Sequence, residues 1–245
     1  MIGIIGGTGL TQLAGLEILE KKWLDTPFGE PSAALTFGQI QGVNVVFLAR
    51  HGDPHQIPPH KINYRANISA LSQVGVGQVI AVNAVGGIHP SLGPAELAIP
   101  KQIIDYTYGR KHTIYDASSH DLDHIDFTYP YTQKLRALLL KASEQEGVSL
   151  LNGGTYAATQ GPRLETAAEI AKYQRDGCDL VGMTGMPEAS LAREFDIEYA
   201  CLALSVNWAA GISESIITMD DIHKAIEQGM GKVQKILKAA LVSHV

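Results

Sequence analysis

Hydrophobic positions along the chain follow two rhythms. Short apolar runs at 2–5, 43–48, 78–83, 98–104, 152–159, 180–182 and 199–205 predict strands. Between them, apolar residues recur three and four positions apart over 64–74, 132–146, 166–176, 186–195 and 219–241, which predicts helices. The last is the clearest, with Ile222, Ile226, Met230, Val233 and Leu237 along one stripe. Strands alternating with helices predict an α/β fold: a mixed central β-sheet flanked by helices. No repeat, low-complexity segment or Pro/Gly/Ser linker divides the chain, so residues 1–245 read as a single domain. The segment 106–131 breaks both rhythms and is rich in His, Asp and Tyr. An irregular stretch of that length in a folded domain is usually functional or an interface.

Composition narrows the partners. The 245 residues hold 19 basic and 25 acidic side chains, a net charge of −6, which argues against a nucleic-acid surface. It leaves room for a small anion held by local groups. No apolar run is long enough to cross a bilayer and no signal-peptide pattern is present, so no membrane contact and a cytoplasmic location are expected. Cys178 and Cys201 stand in neither a CxxC nor a nucleophile context and read as reduced core residues.

The first predicted strand empties into Gly6-Gly7-Thr8-Gly9. Backbone amides and a hydroxyl at the end of a strand suit a phosphate oxyanion, and a tight turn without a ligand explains the glycines equally well. A dinucleotide is disfavoured, because Gln12 occupies the place of the third glycine of G-x-G-x-x-G and no Walker lysine follows.

Other predicted strands also run into small or polar residues, where α/β sheets collect their ligands. They lead to Ala49-Arg50-His51-Gly52, to Asn83-Ala84-Val85-Gly86-Gly87, to Gly182-Met183-Thr184 and to Asn207. Arg50 has the fork to grip a phosphate bidentately. Each of these is an ordinary turn taken singly; together they place one arginine, one histidine and two threonines just past buried strands. Glu165 falls at a predicted helix start, where the dipole alone accounts for a carboxylate as well as a ligand role does. Asn207 likewise fits a turn or a ligand. Two groups, His51/Asp53/His55/His60 and His120/Asp123/His124/Asp126, invite a metal, yet neither repeats a recognised zinc spacing and no metal is expected. A serine-hydrolase reading lacks its G-x-S-x-G elbow.

Six segments in order resemble the trimeric nucleoside phosphorylases, in the branch that holds methylthioadenosine and bacterial methylthioinosine phosphorylases. They are GIIGGTGL at 3–10, ARHG at 49–52, PHKINYRANISAL at 59–71, VNAVGG at 82–87, GTYAATQGPRLETAAE at 154–169 and GMTGMPEASLARE at 182–194. The resemblance implies phosphorolysis: a purine nucleoside plus inorganic phosphate gives free purine and a ribose 1-phosphate. It implies no cofactor, phosphate being a co-substrate. By position it assigns phosphate to Thr8, Arg50, His51, Asn83, Ala84 and Thr184, with His51 and Asn207 as the catalytic candidates. Met183 falls under the ribose, Met219 near the 5′ substituent, and Leu164, Glu165 and Asn207 around the purine. It further implies a homotrimer in which His124 completes a neighbouring subunit's site.

Departures within the resemblance sharpen the substrate. Methylthioadenosine phosphorylases carry serine and aspartate where Glu165 and Asn207 stand, and a second aspartate at Ala209. The pair seen here is that of 6-oxopurine phosphorylases. A carboxylate accepts the N1 proton of hypoxanthine or guanine and repels the bare N1 lone pair of adenine. Met219 stands where inosine phosphorylases place a histidine, and an apolar residue there favours a methylthio group. Gly182 replaces an asparagine of relatives. Together these predict 5′-methylthioinosine. A general inosine/guanosine phosphorylase, a methylthioadenosine phosphorylase and a non-catalytic nucleoside-binding protein are the alternatives.

Overall fold

The computed structural model describes residues 1–10, 13–115 and 122–244. Gln12 and His120 lie outside them. Among the described residues the strands are β1 (Ile2–Gly6), β2 (Glu17–Lys22), β3 (Leu35–Ile40), β4 (Val43–Ala49), β5 (Gln78–Gly87), β6 (Leu97–Ile99), β7 (Gln102–Asp105), β8 (Leu151–Asn152), β9 (Thr155–Ala158), β10 (Leu180–Gly182) and β11 (Glu198–Trp208). The α-helices are α1 (Tyr64–Gln73), α2 (Gln133–Gln145), α3 (Ala167–Arg175), α4 (Gly185–Glu194) and α5 (Met219–Ser243). All strands join one mixed sheet, with β2-β3-β4-β1-β5-β10-β9-β7 in order and β11, β6 and β8 branching from β5.

The centre is parallel and apolar. β1 is buried at every position and lies between β4 and β5, with Ile2 opposite Val45 on one side and Gln78 on the other. β5 pairs in parallel with β11 as well. The ends of β1, β4, β5 and β11 therefore point the same way. β10 runs antiparallel to β5, Leu180 facing Gly87 and Val181 facing Gly86, and so delivers Met183 and Thr184 back toward Ala84. That reversal is what draws distant segments to one place.

The helices were largely written in the 3.6 period: all five form, with ends shifted by one or two residues. α3 carries a reciprocal capping box between Thr166 and Glu169. α5 packs on β11 and α2. No described helix is long and apolar enough to cross a membrane.

Several strands differ from the sequence pattern. The run 98–104 is two strands, β6 and β7, because Pro100 lacks the N–H to continue a ladder. The run 152–159 is β8 and β9, broken by Gly153 and Gly154 at φ of 112° and 90°. β2 and β3 escape the pattern: β2 is exposed at all six positions, so backbone pairing with β3 holds it without an apolar face. β5 and β11 run longer than 78–83 and 199–205, so Ala84 and Asn207 sit within strands and not in turns beyond them.

Candidate active site

A cavity of about 150 Å³ opens where β1, β4 and β10 end against β5 and β11. Its walls include Thr8, Arg50, His51, Ala84, Met183 and Thr184, and also Leu164, Glu165 and Asn207. Segments from 8 to 207 in the chain thus meet in one pocket. Asn83, Met219 and His124 do not line it.

One end is built for an anion. The glycine loop lies directly on Arg50: a Cβ on Gly7 would stand 2.8 Å from Arg50 Nη1 and 2.7 Å from the Val82 carbonyl oxygen. Gly9, at φ 84°, packs the same loop against Ile226 of α5. Arg50 is fully buried. Its Nε and Nη2 donate to the two carboxylate oxygens of Glu188 at 2.7 and 2.8 Å, and Nη1 donates to the Val82 carbonyl at 2.9 Å. Tyr199 donates a third bond to Glu188 at 2.8 Å. Burial alone would lower the Arg50 pKa; the Glu188 carboxylate outweighs it and holds the guanidinium charged.

The Nε–Nη2 side of the Arg50 fork already belongs to Glu188, so the grip left for a phosphate is at the Nη1–Nη2 end. One N–H on each of Nη1 and Nη2 remains for an anion, together with the positive field. Glu188 was missed as a functional residue. Its signal was a lone acid flanked by Pro187 and Ala189 in an otherwise apolar stretch, which a buried cation explains.

His51 also differs from expectation. Its Nδ1 lies 2.8 Å from the Ile57 carbonyl oxygen, which fixes the proton on Nδ1 and leaves Nε2 a bare acceptor. Burial, then the neighbouring Arg50 charge, lowers its pKa to about 4. His51 is therefore neutral at pH 7 and offers a lone pair where a counter-charge for phosphate was expected. The unfolded histidine titrates near 6.5, so the stability gained by burying it neutral is complete above that pH and is lost as pH falls through about 4. Following the His51 ring resonances by NMR should give a midpoint near 4; a midpoint near 6.5 would contradict this environment.

Asn83 stands behind the wall. Its Nδ2 donates to Thr184 Oγ1 at 2.8 Å, and Cys201 donates to its Oδ1 at 3.3 Å. It supports Thr184 instead of facing the cavity.

The other end suits a polar heterocycle. Thr159 Oγ1 donates to Glu165 Oε1 at 2.6 Å, which aims the carboxylate and leaves Oε2 unengaged by Thr159. Thr159 was not singled out in the sequence. Asn207 follows an irregularity in the pairing of β11 with β5: Ser205 faces Val85 and Asn207 faces Gly86. A Cβ on Gly86 would come within 3.3 Å of Asn207 Nδ2, so glycine leaves the amide its room. Nδ2 donates to the Trp208 carbonyl at 2.7 Å, and its second hydrogen and Oδ1 remain. At Gly182, any Cβ would collide with the Tyr156 hydroxyl. The tyrosine occupies the space a larger side chain would need.

At the third corner Met219 is displaced. It is the first residue of α5 and 61% exposed, while Ile222, one turn on, lines the cavity. The wall is apolar as expected, with a different residue supplying it. His124 is exposed and outside this cavity. His55 stacks on His51 with centroids 4.4 Å apart. No cluster of three metal-ligating side chains occurs among the described residues.

Known proteins resemble this chain along nearly its whole length. The sequence model described as "Phosphorylase superfamily" matches residues 1–242. A probable S-methyl-5′-thioinosine phosphorylase of Pseudomonas syringae pv. tomato is 55% identical over 238 residues, covering 97% of each chain. A 6-oxopurine nucleoside phosphorylase of Pyrococcus furiosus is 42% identical over 245 residues, 98% of this chain and 91% of that one. Among solved structures, methylthioadenosine phosphorylase from Schistosoma mansoni in complex with adenine superposes with a TM-score of 0.93 at 30% identity, covering 98% of this chain and 90% of that one. With residues 1–242 matched by the family model and relatives aligned over nearly the whole chain, the chain belongs to the phosphorylase superfamily.

Proposed function

We propose that the protein cleaves S-methyl-5′-thioinosine with inorganic phosphate, releasing hypoxanthine and 5-methylthioribose 1-phosphate. The observation that carries this reading is Glu165, held by Thr159 in the same cavity as Asn207. A carboxylate there accepts the N1–H of a 6-oxopurine and opposes adenine. The relatives named for methylthioinosine support the same substrate.

In this mechanism phosphate lies beneath C1′, bounded by Thr8, Thr184 and the backbone at Ala84, in the field of Arg50. The bond from C1′ to the purine breaks as a phosphate oxygen bonds to C1′, the bonding pair leaves with the purine, and the proton that hydrogenphosphate sheds on forming the ester ends on the purine through solvent. Positive charge gathers on the ribose above the phosphate, and negative charge arrives on the base. The protein supplies position and electrostatics, with no metal or organic cofactor in any step. Asn207 donates a hydrogen bond toward the departing base and, being an amide, does not deliver its own proton. Met183 packs under the sugar. Ile222 offers the 5′-methylthio group an apolar wall.

The same reading extends to a cytoplasmic homotrimer, in which His124 from one chain completes the site of the next. The 6-oxopurine nucleoside phosphorylase relative supports a second reading, a general inosine/guanosine phosphorylase. One set of measurements on the purified protein separates these. Phosphate-dependent rates with methylthioinosine, inosine, guanosine and methylthioadenosine should rank methylthioinosine first and methylthioadenosine last. Light scattering should give three chain masses. Equal rates with inosine favour the second reading, and faster cleavage of methylthioadenosine would sink the role given to Glu165.

A further inference from the structure

Arg110 lies in the aperiodic segment after β7, away from every motif discussed above, and makes more hydrogen bonds than Arg50. Its Nη1 donates to the carbonyls of Met183 at 2.8 Å and Met186 at 2.7 Å, sharing one of these two hydrogens with Tyr64 Oη at 3.3 Å. Its Nη2 donates to the carbonyls of Thr159 at 3.0 Å and Gln160 at 2.8 Å. Its Nε donates to Gln160 Oε1 at 3.0 Å. The guanidinium also stands 5.6 Å from the centre of the Tyr64 ring.

The four carbonyls come from two separate arms of the cavity. Thr159 and Gln160 follow β9 and lead to Leu164 and Glu165. Met183 and Met186 flank Thr184 at the start of α4. Thr159 N–H to the Gly182 carbonyl, 2.8 Å, ties the arms by backbone. Met183 also packs so closely on Gly161 that a Cβ there would overlap its sulfur. Four carbonyl dipoles aimed at one point repel one another unless a cation sits between them. A planar fork with five N–H groups meets that need, and the three donors of a lysine ammonium do not. The far end of α4 is anchored to the same segment, where Glu194 accepts from Thr113 Oγ1 and Ile114 N, each at 2.8 Å.

We infer that Arg110 is a positioning residue that locks the purine arm to the phosphate arm of the site. The inference rests on the phosphorolysis proposed above. It touches neither substrate. It fixes the distance between Glu165 and Thr184, and through them the distance between base and phosphate. A displacement near 1 Å between reacting partners costs about 100-fold in rate.

Steady-state kinetics of Arg110→Ala, Arg110→Lys and Thr159→Val, with folding checked by circular dichroism, tests this. Arg110→Ala should lose about 100-fold in kcat/KM with both nucleoside and phosphate. Because Arg110 is half-buried, millimolar guanidinium should enter the gap and restore part of the rate, while ammonium should not. Arg110→Lys should recover little. Thr159→Val loses the short hydroxyl bond to Glu165 and the long one to the Gly182 carbonyl but keeps the backbone tie between the arms, so it should raise the KM for nucleoside more than the KM for phosphate. A folded Arg110→Ala enzyme with wild-type kinetics, or one whose loss guanidinium fails to relieve, overturns the role of Arg110 alone. A wild-type protein that cleaves no nucleoside overturns the functional reading, and this role with it.

Discussion

Glu188→Ala should lower the folding stability by about 3–5 kcal/mol, the cost of stranding a buried charge. Arg50 is fully buried, and Glu188 accepts two of its three hydrogen bonds. Removing the carboxylate leaves the guanidinium in the core with the Val82 carbonyl alone. A domain has roughly 5–15 kcal/mol in total, so the midpoint of urea unfolding should fall steeply. Glu188→Gln keeps an acceptor and loses the charge, and should land between. The double change Arg50→Met with Glu188→Leu replaces the pair by apolar volume and should regain most of the stability. It should not regain phosphorolysis, because the positive field at the anion end is gone. An unfolding midpoint that Glu188→Ala leaves unmoved would contradict the buried pair.

Glu165→Ser together with Asn207→Asp should shift kcat/KM from 6-oxopurine toward 6-aminopurine nucleosides. A mismatched polar group in a buried site costs about 1–3 kcal/mol, which is roughly tenfold to over a hundredfold in preference. The serine removes the carboxylate that repels adenine N1. It also frees the Thr159 hydroxyl, which now donates to Glu165 at 2.6 Å. The aspartate can carry a proton where the amide cannot. Competition between methylthioinosine and methylthioadenosine in one reaction reads the shift directly. An unchanged ratio would place the discrimination elsewhere in the cavity.

The helices and the parallel strands were legible because burial on one stripe or on both faces imposes a period. β2 was not, since backbone bonds to β3 hold it while all its side chains face water. The cavity's composition was largely legible through segments that end strands in glycine, threonine or arginine. What escaped were pairings across the chain. Arg50 and Glu188 are 138 residues apart, and nothing local in either segment marks them as partners. The same holds for Arg110, whose acceptors are mostly backbone carbonyls and leave no residue-type signature. The resemblance points to Met219 for the 5′ wall, whereas Ile222, one turn further into α5, lines the cavity. The resemblance assigns Asn83 and Ala84 alike to phosphate, although successive residues of a strand point to opposite faces.

The tautomer of His51 bears on which anion the cavity admits. With Nδ1–H spent on the Ile57 carbonyl, Nε2 can only accept. An incoming oxyanion must bring its own proton to meet it. Hydrogenphosphate has a P–OH to offer; sulfate, of like size and charge, is bare at neutral pH and would set lone pair against lone pair. Selection between them then follows from who carries a hydrogen, a distinction invisible to charge and radius.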